Sequence, residues 1–244
     1  MVPLWLHIVS IVSLATGFLA AAAIALDEAR HPQEMWIMNV VWPVTALFAP
    51  LVVPWLYFRY GRLATHERHA AAQAEGGEPP SKTDTPMWAM ITKGTGHCGA
   101  GCTLGDICAE WLAFFFPSVA VWFGWHSIFD EKMFAVWIID YLFAFAFGVA
   151  FQYFTIAPMR GLGIGEGIKQ ALKADTLSLT AWQIGMYGFM AIAAFGIFQD
   201  LISARLEVPS PEFWLMMQIA MWCGFATAYP VNAWLIRKGI KEKM

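Results

Sequence analysis

HCGAGCTLGDICAE, residues His97 to Glu110, gathers one histidine, three of the chain's four cysteines and two carboxylates. It opens an apolar segment that runs on to Trp125. A run of that length reads as a membrane helix. Ionisable groups inside such a helix are costly and tend to carry function. Taken as helical, Cys98, Cys102, Asp106 and Glu110 advance by about 40° per step. They form one slowly turning stripe, with neighbours a turn apart. Gly101, Gly105 and Ala109 lie beside it, small enough to admit a partner helix. Cys108 points elsewhere.

The composition around this stretch is that of a membrane protein. Of 244 residues, 59% are hydrophobic and only 14% charged, and the mean hydropathy is +0.54. Soluble domains carry about a quarter charged residues. The 13 Trp and 19 Phe suit a lipid bilayer with aromatic residues at its interfaces. A net charge of −3 gives no basis for a nucleic-acid partner. Four cysteines, three of them clustered, do not make a disulfide scaffold. Residues 1–26 do not read as a cleaved signal, because no Lys or Arg precedes the apolar run.

Six segments are long enough to span: Pro3–Leu26, Met35–Phe58, Gly96–Trp125, Met133–Pro158, Leu177–Phe198 and Phe213–Ile236. Pro43, Pro50 and Pro54 are expected to bend the second. With six spans, only Arg30, Lys132 and Arg205 of the 15 basic residues fall on one side. The positive-inside rule then puts both termini in the cytoplasm.

The expected fold is all-α and polytopic. Residues 1–60 form a two-helix transmembrane hairpin, 61–85 a cytoplasmic linker, and 86–244 a four-helix transmembrane core. Thr85 is placed to cap a short interfacial helix beginning at Pro86. Gly94, Gly96, Gly99 and Gly101 mark a break or a close-packed stretch where the third span begins. Gly161, Gly163, Gly165 and Gly167 lack the Walker lysine-hydroxyl ending and are no phosphate loop.

Two thiolates one turn apart suit a soft metal. Cu(I) and Zn both accept them, with His97 as a compatible ligand. Met217 and Met221, one turn apart, could extend a Cu(I) path, as could the Met186 and Met190 pair. Each has a blander reading: Met pairs usually pack, and a membrane Cys is most often a small inert hydrophobe, as Cys108 and Cys223 are read. Asp106, Glu110 and Asp140 fall within spans and should face the bundle interior. Gln152, Gln183, Gln218 and Asn232 read as interhelical glue, with Tyr187 among their partners.

The blocks GTGHCGAGCTLGDICAEW, IDYLFAFAFGVAFQYFTIAPM, DTLSLTAWQIGMYGFMA, EFWLMMQIAM and YPVNAWLIRKGIKEKM resemble, in order, an uncharacterised bacterial membrane-domain family, a domain of unknown function. The resemblance covers about residues 88–244. Some of its members are joined to multicopper-oxidase modules, which implies copper for Cys98 and Cys102 and a copper-oxidase or metal-chaperone partner. It carries no catalytic residue over, and fold-level likeness does not establish a site.

The sequence therefore predicts a protein that binds or transports a soft metal, Cu(I) before Zn, at the Cys98/Cys102 turn, with His97, Asp106, Met217 and Met221 assisting. The alternatives are a thiol/quinone redox protein and an assembly subunit of a larger membrane complex. A pore through four helices would be narrow, which leaves room for a homo-oligomer. No ATP-binding motif is present, so any pumping would need a gradient or a partner. No catalytic motif is recognised, so binding or transport is preferred to an enzymatic role.

Overall fold

A computed structural model describes residues 2–242. Four long helices form an up-down-up-down bundle: α6 (Met87–Phe115), α8 (Lys132–Arg160), α9 (Ile164–Ala191) and α10 (Pro211–Arg237). A π-helical turn, Ile192–Leu201, prolongs α9. Around the ring, α6 packs on α8, α8 on α9, α9 on α10 and α10 on α6. Outside helices and turns, the described residues add only two isolated bridges, Gln33 to Thr65 and Trp125 to Phe129.

Local sequence sets the helix ends. Ser210 caps α10, accepting a hydrogen bond from the Phe213 N–H (3.2 Å), with Pro211 at the first helical position. Gly161 closes α8 in the left-handed conformation, φ +61°, and the Leu162 N–H reaches back to the Ala157 carbonyl (3.0 Å). The expected Thr85 cap does not form. The N-cap of α6 is Pro86, and the buried Thr85 hydroxyl bonds to no described residue.

Of the two expectations for Gly94–Gly101, a break or a close-packed stretch, the structure has the second: α6 is one helix of 29 residues, about 43 Å long. Its glycines serve contact. A Cβ on Gly101 would stand 3.0 Å from the Gly148 backbone of α8, and one on Gly105 would strike the Ala144 backbone. A glycine costs a helix about 1 kcal/mol in propensity, which close packing against a second backbone offsets. The helix ends at Phe115, and the short α7 (Ser118–Trp122) replaces the rest of the expected span.

The first part of the chain departs furthest from expectation. Helix α1 (Leu4–Glu28) runs parallel to α10, because His7 Nδ1 lies 2.6 Å from Glu212 and the Ser13 hydroxyl donates to Gln218 (2.6 Å). Leu4 and Arg237 therefore sit at opposite ends of the molecule, and the two termini do not share a side as the six-span count required. The second expected span is two short helices, α2 (Met38–Phe48) and α3 (Val52–Leu56), separated at Ala49–Leu51. They fold back on each other. At the turn, the Leu47 carbonyl accepts from Gln218 (2.6 Å), level with Gly17. At the open end, Trp42 meets Tyr57, and Tyr57 donates to Asp27 (2.7 Å) at the close of α1. Both arms thus begin and end where α1 ends. Pro50 stops α2, and eleven residues reach only about 17 Å, half a bilayer.

The stretch expected to be a linker holds two helices, α4 (His66–Ala74) and α5 (Pro80–Thr83). Of all helices, α1, α8, α9 with its continuation and α10 are long and apolar enough to cross a membrane. Long enough but more polar, α6 lies at the centre with His97, Cys98, Cys102, Asp106 and Glu110 all buried.

Candidate functional site

Three helices turn mostly polar or small residues inward at four-residue intervals. On α6 these are Cys98, Cys102, Asp106 and Glu110. On antiparallel α8 they are Gln152, Gly148, Ala144 and Asp140. On α9 they are Asp175, Leu179, Gln183 and Tyr187. Spacing of four keeps each set on one face, and the contacts bring the faces together into a seam. Cys98 and Gln152 lie beside Asp175, Cys98 beside Cys102, and Gln183 beside Asp106. Gly101 and Gly105 let α8 close onto α6, and the bare face of Gly148 is filled by the Asp175 carboxylate. From Cys98 to Glu110 the seam is about 18 Å long.

The seam holds four carboxyl groups, Asp106, Glu110, Asp140 and Asp175, and no cation along its length. Among the described residues, neither Asp106 oxygen, neither Asp175 oxygen nor Oδ1 of Asp140 has a partner in full hydrogen-bond geometry, and neither do the Gln152 and Gln183 amides; their neighbours within the seam are one another, Gln183 with Asp106 and Gln152 and Cys98 with Asp175. Buried polar groups are seldom left so. Unmet capacity concentrated in one line marks a place for water, protons or a cation.

Each end is closed by a lysine. At the Glu110 end, Lys132 Nζ donates to the Ala113 carbonyl (2.7 Å). Glu110 and Lys132 also line a cleft of about 680 Å3 that opens among Glu131, Gln199, Arg205 and Glu207. At the Asp175 end, the chain beyond α10 folds back. Lys241, 2% exposed, donates to Asn232 Oδ1 (2.7 Å), and Asn232 Nδ2 donates to the Ser178 hydroxyl (2.7 Å). Arg160 pins this segment through Glu242 (2.6 Å) and the Gly239 carbonyl (3.4 Å).

The residues expected in a metal site do not all meet. Cys98, Cys102 and Asp106 share the seam. His97 instead faces Thr155 of α8. The Thr155 hydroxyl is hydrogen-bonded to His97 Nε2 (3.0 Å) and lies 3.1 Å from the Phe151 carbonyl, while His97 Nδ1 is buried with no described partner. Met221 turns to α9, its sulfur 3.4 Å from the Trp182 indole nitrogen that donates to it, and Met217 is packed in the core. Trp182 itself lies between Gly99 and Gly224, a wedge between α6 and α10. Among the described residues, no three His, Cys, Asp or Glu side chains converge on a metal-sized centre.

The interhelical polar residues divide. Gln152, Gln183 and Asp140 belong to the seam, and Asn232 to its lysine-capped end. The Tyr187 hydroxyl donates to the Trp137 carbonyl (2.8 Å). Gln218 lies outside the seam and holds α1 and the α2 turn to α10. Two important residues escaped the sequence reading. Asp175 stands two positions before the expected fifth span, although its spacing to Gln183 and Tyr187 was a usable signal. Lys241 gave none, because a basic residue after a last helix reads as an ordinary cytoplasmic charge.

No solved structure and no curated protein matches the chain. A family model described as Domain of unknown function (DUF4396) matches residues 87–241. That range begins at α6 and ends at Lys241, so it contains the whole seam and both lysines that close it, while α1 to α5 lie outside. By this match over more than half its length the chain belongs to the DUF4396 family, a domain of unknown function.

Proposed function

We propose that this membrane protein moves protons along the seam between α6, α8 and α9. The observation that carries the reading is the line of four interior carboxyl groups with most of their oxygens unpaired. Carboxyls at such depth are characteristic of proton relays. The cleft gives Glu110 an aqueous approach, and Asp140 and Asp106 follow from it. Asp175 stands two turns beyond Asp106, about 12 Å along the axis. A proton crosses that interval through water or through the thiols of Cys102 and Cys98, which occupy it.

In this reading five helices cross the bilayer: α1, α6, α8, α9 and α10. The pair α2–α3 dips in from one face and returns, with Ala49 of its turn buried against the protein and the apolar Leu51 side chain turned outward. All basic residues except Lys132 and Arg205 then lie on one side, a stronger asymmetry than six spans gave. That side is the cytoplasm by the positive-inside rule, with Leu4 facing outward and the membrane being the bacterial inner membrane.

A second reading is favoured by one observation, two buried thiols on adjacent turns with Asp175 beside them. This is transport of a soft metal, Cu(I) or Zn, as cargo held by Cys98 and Cys102. A Cys98→Ser/Cys102→Ser variant separates the two. Hydroxyls can relay protons but are poor soft-metal ligands. For the proton reading, flux into dye-loaded proteoliposomes stays within about twofold of wild type. For the metal reading, copper or zinc co-purifies with wild type near one per chain and is lost from the variant, along with metal uptake.

A further inference from the structure

A second cavity lies outside the seam, where the folded-back pair α2–α3 meets the first turns of α6 and the middle of α10. It measures about 210 Å3. Its walls are aromatic and aliphatic, with Trp42, Phe48, Trp55, Trp88, Trp222 and Phe225 the largest contributors. Lys93 is the single charged residue among its lining groups.

One donor in this wall lacks an acceptor. Lys93 is 5% exposed and makes no hydrogen bond or ion pair with any described residue. Trp42 is 4% exposed and lines the cavity with its ring, while the indole edge beside its nitrogen is packed on Gly61, outside the lining. Thr45 and Thr92, the lining hydroxyls, are spent on their own helices, donating to the Val41 and Trp42 carbonyls and to the Trp88 carbonyl. The cavity therefore offers one cation, presents no carboxylate, and is otherwise apolar. An unpaired ammonium there is costly unless an anion joins it.

We propose that this cavity binds the anionic head and first carbons of an acyl chain, with Lys93 pairing the head and the aromatic walls enclosing the carbons. The size fits a partial enclosure. At 210 Å3 the cavity is below the ~300 Å3 at which sites begin to enclose a whole drug-sized ligand. The rest of the chain leaves past Val52, Trp55 and Trp88, lining residues that are 40%, 56% and 44% exposed and so form the rim. A lipid tail continues there into the bilayer. The site draws one wall from the family domain and the other from α2–α3, outside the family match. The acyl anion would thus tie the re-entrant pair to the bundle.

The source is either a free fatty acid or an anionic phospholipid, and both carry the same recognition chemistry. Native mass spectrometry of detergent-purified full chain tests the site with four probes: oleate, methyl oleate, phosphatidylglycerol and a short-chain ubiquinone. The expected result is one oleate or one phosphatidylglycerol per chain, with methyl oleate at least tenfold weaker. Whichever of the two anions displaces the other identifies the source. Lys93→Met should weaken binding tenfold or more, and Lys93→Arg should retain it. The comparison of oleate with its methyl ester on wild type needs no variant to fold. Equal binding of ester and acid, binding unchanged in Lys93→Met, or preferential displacement by the quinone would each overturn the proposal.

Discussion

At the residue scale, glycine and carboxylate act together. A carboxyl group can enter the seam only because the helix opposite offers no side chain. Gly148 leaves the space that Asp175 fills, and Gly101 and Gly105 bring α6 against the α8 backbone. Gly105→Ala is the sharpest test of that closeness. Its new methyl would meet the Ala144 backbone, which cannot rotate away as a side chain can. The expected cost is about 1–3 kcal/mol of stability from overpacking, read as a lower thermal midpoint in detergent. Gly188→Ala, which meets nothing within 4 Å, should leave the midpoint unchanged or slightly raised. The stripe from Cys98 to Glu110 was legible in the sequence because a four-residue spacing of unlike residues survives any rotation of the helix. The orientation of His97 was not legible. It is adjacent to Cys98, yet one residue turns a side chain by about 100°, and its partner Thr155 is 58 positions away.

At the element scale, α8, α9 and α10 match their expected spans within a few residues at most ends. The exception is α9, which begins at Ile164 and so draws Asp175 inside the helix. Long apolar runs with short polar connections leave little alternative. Hydropathy could not distinguish a crossing helix from a folded-back pair. Met35 to Phe58 has the length and composition of a span, and only the tertiary contacts of Leu47 with Gln218 and of Trp42 with Tyr57 reveal the reversal. That one reversal flips α1 and moves Arg30 to the basic side. Cysteines introduced at Val2 and Arg68, in a background where Cys108 and Cys223 are serine, make the difference measurable in intact cells. A membrane-impermeant maleimide should label position 2 and spare position 68. Labelling of neither would restore an even number of crossings with both sites in the cytoplasm.

At the scale of the whole molecule, the bundle is a polar line closed at both ends by lysines and wrapped in apolar surface. Exposed Leu4, Trp5, Phe18, Leu19, Ile184 and Leu201 show how much of that surface faces outward, as a lipid-facing exterior requires. The seam was half-readable in advance: Asp106, Glu110 and Asp140 were expected inside, but their alignment with Asp175 arises only when three helices assemble. Proton movement is the central claim, and flux into proteoliposomes loaded with a pH-sensitive dye, under a valinomycin potential, tests it directly. Wild-type protein should acidify the lumen well above empty vesicles. Asp106→Asn, which keeps the shape and removes the titrating group, should cut the rate tenfold or more. Wild-type flux no greater than that of empty vesicles, or an Asp106→Asn rate equal to wild type, would contradict a proton path through the seam.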